Sequence, residues 1–282
     1  MELSDSKVEL VARKNKVVYQ DGNRVVKVFN GTKPAGDVFN EALNVARIAE
    51  TPIKHPHVLE VSQVADGSWA LATEYVPGKT LAALMAEEGA DFDALLEKFV
   101  DLQVSVQKTA APALLSKQKE KVASMIGRVK ELDPSVRYDL QMRADRMAAG
   151  KSVCHGDFNP TNVIVGEDGE LYVCDWAHVT QGLPEADAAM TYILFNVEYP
   201  EKAEAYLDLY SKKADVPKQK IHYWVPVVAA AELSRNRKES EEFLKSWIDV
   251  ANDYEEELTK GQSLFQLEGD SGATSSKYPE TS

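Results

Sequence analysis

The stretch His155-Gly156-Asp157-Phe158-Asn159-Pro160-Thr161-Asn162, followed by Val173-Cys174-Asp175-Trp176, constrains this chain more than any other. Apolar Val163-Ile164-Val165 runs into the turn signal Gly166-Glu167-Asp168-Gly169 and leaves it through Leu171-Tyr172-Val173-Cys174, which is the pattern of a very short β-hairpin. A hairpin brings its two ends together. Asn162 and Asp175 are therefore expected within reach of one ion, with Asp157 a few residues upstream on the entering loop.

The spacing H-x-D-x-x-x-x-N followed by D is more specific than any loose triad of acids. One Asp near a bound hydroxyl, with an Asn and an Asp on magnesium, is what phosphoryl transfer in kinases requires. Asn162 and Asp175 offer hard oxygen ligands, which suit magnesium and not zinc, and the turn at Glu167-Asp168-Gly169 lacks the alternating ligands and terminal Glu of a calcium loop. His155 is expected to brace the loop.

Upstream, Val8 to Ala12, Val17 to Gln20 and Arg24 to Phe29 read as strands separated by Arg13-Lys14-Asn15-Lys16 and Asp21-Gly22-Asn23. The spacing of Val38, Phe39, Ala42, Leu43, Val45, Ala46 and Ile48 predicts an amphipathic helix from Gly36 to Glu50, with Asp37 as its N-cap. Val58 to Val64 and Trp69 to Tyr75 complete five strands, which fit an antiparallel sheet covered on one face. Lys27 alternates within the third strand, where it could simply face solvent. Glu41, one turn into the helix, changes that reading, because a strand Lys paired with a helix Glu is how kinases hold the α and β phosphates.

Pro77-Gly78 marks a boundary. Helices are expected at Thr80 to Glu88, Phe92 to Lys108, Leu114 to Leu132, Pro134 to Ala149, Glu185 to Val197, Glu201 to Lys212, Lys218 to Arg235 and Glu239 to Leu258. Val225-Pro226 should kink or break the seventh. The chain thus divides into an N-terminal lobe at 1–76, a helical lobe at 77–260 and a Gly, Ser and Thr-rich tail at 261–282 expected to be disordered.

A formal net charge of −13 argues against nucleic-acid binding, which needs clustered Lys and Arg, and only mildly favours a cationic, amine-bearing partner. Cys154 and Cys174 have neither metal-ligand spacing nor a disulfide framework and read as packing residues. No secretory signal or membrane span is visible, so a cytoplasmic location is expected.

His155-Gly156-Asp157…Asn162, Asp175-Trp176 and Gly182-Leu183-Pro184…Asp187 resemble the aminoglycoside phosphotransferase and choline kinase family, over roughly Val8 to Leu258. The resemblance implies an α+β, protein-kinase-like bilobal fold: an antiparallel five-stranded N-lobe with one helix, and a mainly helical C-lobe. It implies transfer of the γ-phosphate of ATP or GTP to a hydroxyl of a small molecule. By it Asp157 is the catalytic aspartate, Asn162 and Asp175 bind Mg2+, and Lys27 with Glu41 holds the nucleotide phosphates. Glu74-Tyr75-Val76 falls at the hinge that hydrogen-bonds the base through backbone atoms, and Asp187 supports the catalytic loop.

Two departures stand out. Arg13-Lys14-Asn15-Lys16 occupies the phosphate-covering loop without a glycine, and Ala177 follows Trp176 where many relatives carry an acid. Asp175 reaches Gly182-Leu183-Pro184 almost at once and no A-P-E follows, which leaves little room for a peptide and favours a small acceptor. A pseudokinase-like nucleotide-binding module and a nucleotidyl transferase are the alternatives.

Overall fold

The computed structural model describes residues 1–235 and 240–249. Glu239, the part of the last expected helix beyond residue 249 and the expected tail at 261–282 lie outside them. The first lobe holds β1 (Val8–Arg13), β2 (Lys16–Asp21), β3 (Arg24–Phe29), α1 (Ala35–Ile48), β4 (Val58–Gln63) and β5 (Trp69–Glu74). The five strands form one antiparallel sheet in the order β1-β2-β3-β5-β4.

Alternation along β3 explains how this sheet meets its helix. Val26 faces one side with Ala70 and Ala72, while Phe29 faces the other and packs with Leu71 against Val38 and Ala42 of α1. Lys27 shares the Phe29 side, so α1 covers it. Asp37 does not cap α1 as expected. Pro34 occupies the cap position without a side-chain bond, and Asp37 sits in the first turn, where its charge complements the helix dipole.

The second lobe begins with β6 (Gly78–Thr80) and continues through α2 (Leu81–Met85), α3 (Phe92–Lys108), α4 (Gln118–Gly127), α5 (Pro134–Asp145), β7 (Ser152–Cys154), β8 (Val163–Gly166), β9 (Leu171–Val173), β10 (Thr180–Gly182), α6 (Pro184–Glu198), α7 (Ala203–Ala214), α8 (Lys218–Leu233) and α9 (Glu241–Asp249). The expected hairpin is β8–β9, in the register Val163↔Val173, Ile164↔Tyr172 and Val165↔Leu171. β6 adds a third strand to it, and β7 pairs with β10. The lobe's core is one large cluster whose aromatic centre is Phe99, Phe158, Phe195 and Tyr206.

Several expected elements come out differently. The helix expected from Leu114 to Leu132 is only α4, because Ser116 O accepts from Gln181 N and Lys117 bridges Gln181, which holds the preceding chain extended. Thr80 ends β6 and caps α2, its Oγ1 accepting from Ala83 N at 3.1 Å, and α2 stops at Met85. The helix expected from Pro134 to Ala149 closes at Asp145, and Pro200–Lys202 forms a separate 3-10 turn ahead of α7. α8 runs as one helix through Pro226.

Candidate active site

The motif loop is anchored from beneath before it presents anything to the cleft. Phe158 is buried in the aromatic cluster, 4.9 Å from Phe99 between ring centroids. Thr191 Oγ1 donates to Phe158 O at 2.9 Å, and Gln103 Nε2 donates to Thr191 Oγ1 at 3.0 Å. Asp187, in the first turn of α6, accepts from Gly156 N at 2.7 Å and from Gln107 Nε2 at 2.9 Å. Burial pushes the Asp187 carboxyl upward, and these two donors only partly oppose it. His155 is fully buried: its Nδ1 accepts from Asp157 N at 3.2 Å and its Nε2 donates to Cys174 O at 2.9 Å. Both nitrogens are thus engaged, and the ring is a brace between the loop and the end of β9.

Gly156 is fixed by close approach. Its φ is +76°, and a Cβ there would stand 2.7 Å from His178 O. Above it, Asn159 Nδ2 donates to Asp157 O and Oδ1, both at 3.1 Å, while Asn162 Nδ2 donates to Asp157 O at 2.9 Å. Cys174 N donates to Asn162 O at 2.8 Å, so the two ends of the hairpin meet as expected.

Charge from both lobes converges on Asp175, which adopts a left-handed conformation at the end of β9 (φ 61°, ψ 60°). Lys27 Nζ lies 2.7 Å from Glu41 Oε1 and 3.0 Å from Asp175 Oδ1. Lys16 Nζ lies 3.2 Å from Asp175 Oδ2, and Lys33 Nζ 3.0 Å from Glu41 Oε2. Burial alone would raise the Asp175 carboxyl, yet Lys27 and Lys16 outweigh it and hold the group well below the usual carboxylate range. The same contest leaves Glu41 lowered by Lys27 and Lys33, and leaves Lys27 raised by Asp175 and Glu41 despite its burial. All three groups are charged at neutral pH.

The structure brings Lys27 into direct contact with both Glu41 and Asp175, and the bond from Cys174 N to Asn162 O ties the Asp157 loop to the residue before Asp175. Glu74 and Val76 stand apart from this cluster, Glu74 at the end of β5 and Val76 in the irregular connection that follows. The Glu74 carboxylate is occupied by His57, at 2.7 Å from Nδ1 and 3.0 Å from N, and Tyr75 N donates to Asn23 O. Sequence reasoning missed the individual roles of Lys16, Asn159 and Asn44. Asn44 Nδ2 reaches the carbonyls of Trp176 and Ala177 at 3.3 and 3.4 Å, which ties α1 to the segment after Asp175. A basic residue at the turn before β2 was the available signal for Lys16. Cys154 and Cys174 are free thiols, and burial pushes Cys174 up to about 12, as suits packing residues.

The donor set fits magnesium. Among the described residues, no group of three or more His, Cys, Asp or Glu could hold a metal ion by itself. Magnesium is commonly bound by one or two protein oxygens together with substrate phosphates, and Asn162 and Asp175 carry oxygens of the kind that could serve.

A family model described as "Phosphotransferase enzyme family" (APH) matches residues 12–219. No curated protein sequence matches the chain. Among solved structures, a ternary complex of a thermostable variant of aminoglycoside phosphotransferase APH(4)-Ia with ADP and hygromycin B superposes with a TM-score of 0.68 at 12% identity, covering 89% of this chain and 94% of that one. An aminoglycoside-3'-phosphotransferase of type VIII gives 0.61 at 20% identity, with 81% and 94% covered. APH(3'')-Id from Streptomyces rimosus gives 0.57 at 15% identity, with 80% and 92% covered. At these identities the likeness establishes the fold: a kinase-like α+β architecture with a five-stranded N-lobe and a helical C-lobe.

Proposed function

The chain belongs to the phosphotransferase enzyme family, and on that footing we propose that it transfers the γ-phosphate of ATP or GTP to a hydroxyl of a small-molecule acceptor. The observation that carries this reading is the meeting of Lys27 with both Glu41 and Asp175 across the two lobes, next to the Asp157 loop. Phosphoryl transfer passes through a loose transition state, so the protein acts by positioning and by supplying charge where charge develops.

Each residue then has a task. Lys27, steadied by Glu41, and Lys16 supply positive charge to the nucleotide phosphates. Lys16 does so from the loop that lacks glycine. Asp157 orients the acceptor hydroxyl toward the γ-phosphorus and receives its proton, while Asn159 and Asn162 fix the loop that carries it. Asn162 and Asp175 would hold magnesium, which would supply positive charge to the phosphates when bound. Backbone atoms of Glu74 and Val76 meet the base. Residues 1–76 form the nucleotide lobe, and 77–260 the lobe that carries the catalytic and acceptor sites. The nucleotides in complexes of APH(4)-Ia support a nucleotide co-substrate here. No described helix is long and apolar enough to cross a membrane.

The test is diphosphate release by the full chain with magnesium and ATP or GTP, across a panel of small alcohols and amino sugars. Release should require an acceptor. Asp157→Asn should lower it by about 10²- to 10⁴-fold and leave Mg-nucleotide binding, read by calorimetry, nearly intact. Asp175→Ala should weaken the magnesium-dependent part of that binding. Undiminished transfer by Asp157→Asn would overturn the role of Asp157, and unchanged binding by Asp175→Ala would count against its metal role.

A further inference from the structure

The nucleotide side leaves a second group of cations unused. Lys121, in the first turns of α4, donates from Nζ to His178 O at 2.8 Å. That carbonyl is the one a Cβ on Gly156 would approach to 2.7 Å, so the Lys121 ammonium stands one carbonyl away from the residue preceding Asp157. An ammonium has three donors and one is spent here. Among the described residues no carboxylate forms an ion pair with it, whereas Lys16, Lys27, Lys33 and Lys213 are all paired. Half-buried cations are normally paired, because removing charge from water is costly.

Lys121 also borders a cleft of about 410 Å³ between α1, the start of α4 and Val179. The charged groups on its walls are Lys117, Lys121 and Glu120, and Asn44 lies among them. Arg235, just beyond α8, pairs with Glu232 at 2.9 Å and still adds positive potential at Lys121 and at His178. Burial, and Arg235 after it, push Lys121 down to about 8 against the longer-range pull of Glu232, and burial with Arg235 and Lys121 keeps His178 neutral. The ammonium remains mostly protonated at neutral pH, and a bound anion would give it the direct partner that Glu232, which pairs with Arg235, does not.

We propose that the acceptor carries an acidic group, a carboxylate or a phosphate, and that Lys121 binds this group where the cleft meets the Asp157 loop. The proposal rests on the kinase reading and names the chemical class of its acceptor. It replaces the amine-bearing acceptor that the net charge of −13 mildly favoured, since net charge describes the whole surface and Lys121 describes the site.

The test separates the acidic group from the chemistry. Matched pairs are titrated into the full chain with magnesium and a non-hydrolysable ATP analogue: a hydroxy acid and its carboxamide, a sugar phosphate and its parent sugar, and an aminoglycoside for contrast. The acid of at least one pair should bind about ten- to a hundredfold more tightly than its neutral partner, as expected for hydrogen bonds to a charged group. Which pair discriminates distinguishes carboxylate from phosphate. Lys121→Met should erase that preference, and Lys121→Arg should restore most of it. Lys121→Gln serves if the Met variant fails to fold.

Equal binding of acid and neutral partner throughout, preference for the aminoglycoside alone, or a preference that survives Lys121→Met overturns the proposal. Diphosphate release with the same panel reads the kinase reaction separately. Acid-selective binding without release would leave the anion site standing and sink the kinase reading. Release with neutral or cationic acceptors only would do the reverse.

Discussion

Lys27 holds two carboxylates that would otherwise repel each other. Glu41 is only 2% exposed, and Asp175 comes from the other lobe. Each has a further lysine, Lys33 for Glu41 and Lys16 for Asp175, so removing Lys27 leaves neither wholly bare. Lys27→Met should still destabilise the chain by about 3 kcal/mol, because it strips the shared cation from one buried and one half-buried anion. Urea denaturation gives that value, and a loss below half of it would mean that the flanking lysines suffice. Pairing it with Glu41→Gln should cost less than the two single changes added together, since the residues share one network.

The meeting of Lys27 with Glu41 and Asp175, and the bond between Asn162 and Asp157, were legible in the sequence because the five residues sit together in one motif pattern of strand, helix and hairpin. Lys16, Asn44 and Lys121 were not, because, unlike Lys27, which also reaches Asp175 across 148 residues, they belong to no motif pattern and are defined only by the partners the fold brings to them. Lys16 meets its partner across 159 residues, Asn44 across 132 and Lys121 across 57. No local pattern encodes such a meeting.

At the scale of elements, the long and strongly periodic pieces were readable, and the short ones were settled by their neighbours. The five-stranded sheet, α1, α3, α6 and the β8–β9 hairpin all carry their own alternation or helical spacing. β6, β7 and β10 are three residues each, too short to show a period, and they exist because partners dock on them. β6 illustrates the dependence. Gly78 crosses β8 so closely that a Cβ would lie 2.1 Å from Val165 O, a backbone atom that cannot step aside. Gly78→Ala should therefore unseat β6 from the hairpin that carries Asn162 and Asp175. A loss of about 2–4 kcal/mol is expected, in the range of large single-site effects from strain and overpacking. Amide hydrogen exchange should speed up in residues 163–173 before it does in α6. Unchanged exchange in the hairpin would show that the contact is absorbed elsewhere.

For the whole molecule, the lobes are joined by charge as well as by packing, so acidity should act on the molecule as a unit. Asp175 and Glu41 have folded-state pKa values below their ordinary 3.8 and 4.5. Lowered carboxylates contribute stability that is present above the ordinary carboxylate range and is lost as pH falls through the folded value. Asp187 has the opposite sign: burial raises it, so it takes up its proton first and favours the folded state as pH falls. A urea midpoint followed from neutral pH downward should therefore change little until about pH 4.5 and then fall steeply, because Asp175 and Glu41, joined by the lowered Asp21, Asp66, Glu74, Asp133 and Asp168, oppose the raised Asp187. Asp175→Asn keeps the shape and removes one lowered group, so its acid limb should be shallower by on the order of 2 kcal/mol, the usual size of one such linkage. Asp187→Asn should steepen the same limb, since it deletes the group that opposed it. Parallel acid limbs in all three proteins would place the acid sensitivity outside the cleft, and the cross-lobe pairing of Lys16 and Lys27 with Asp175 would then not control how the two lobes hold together.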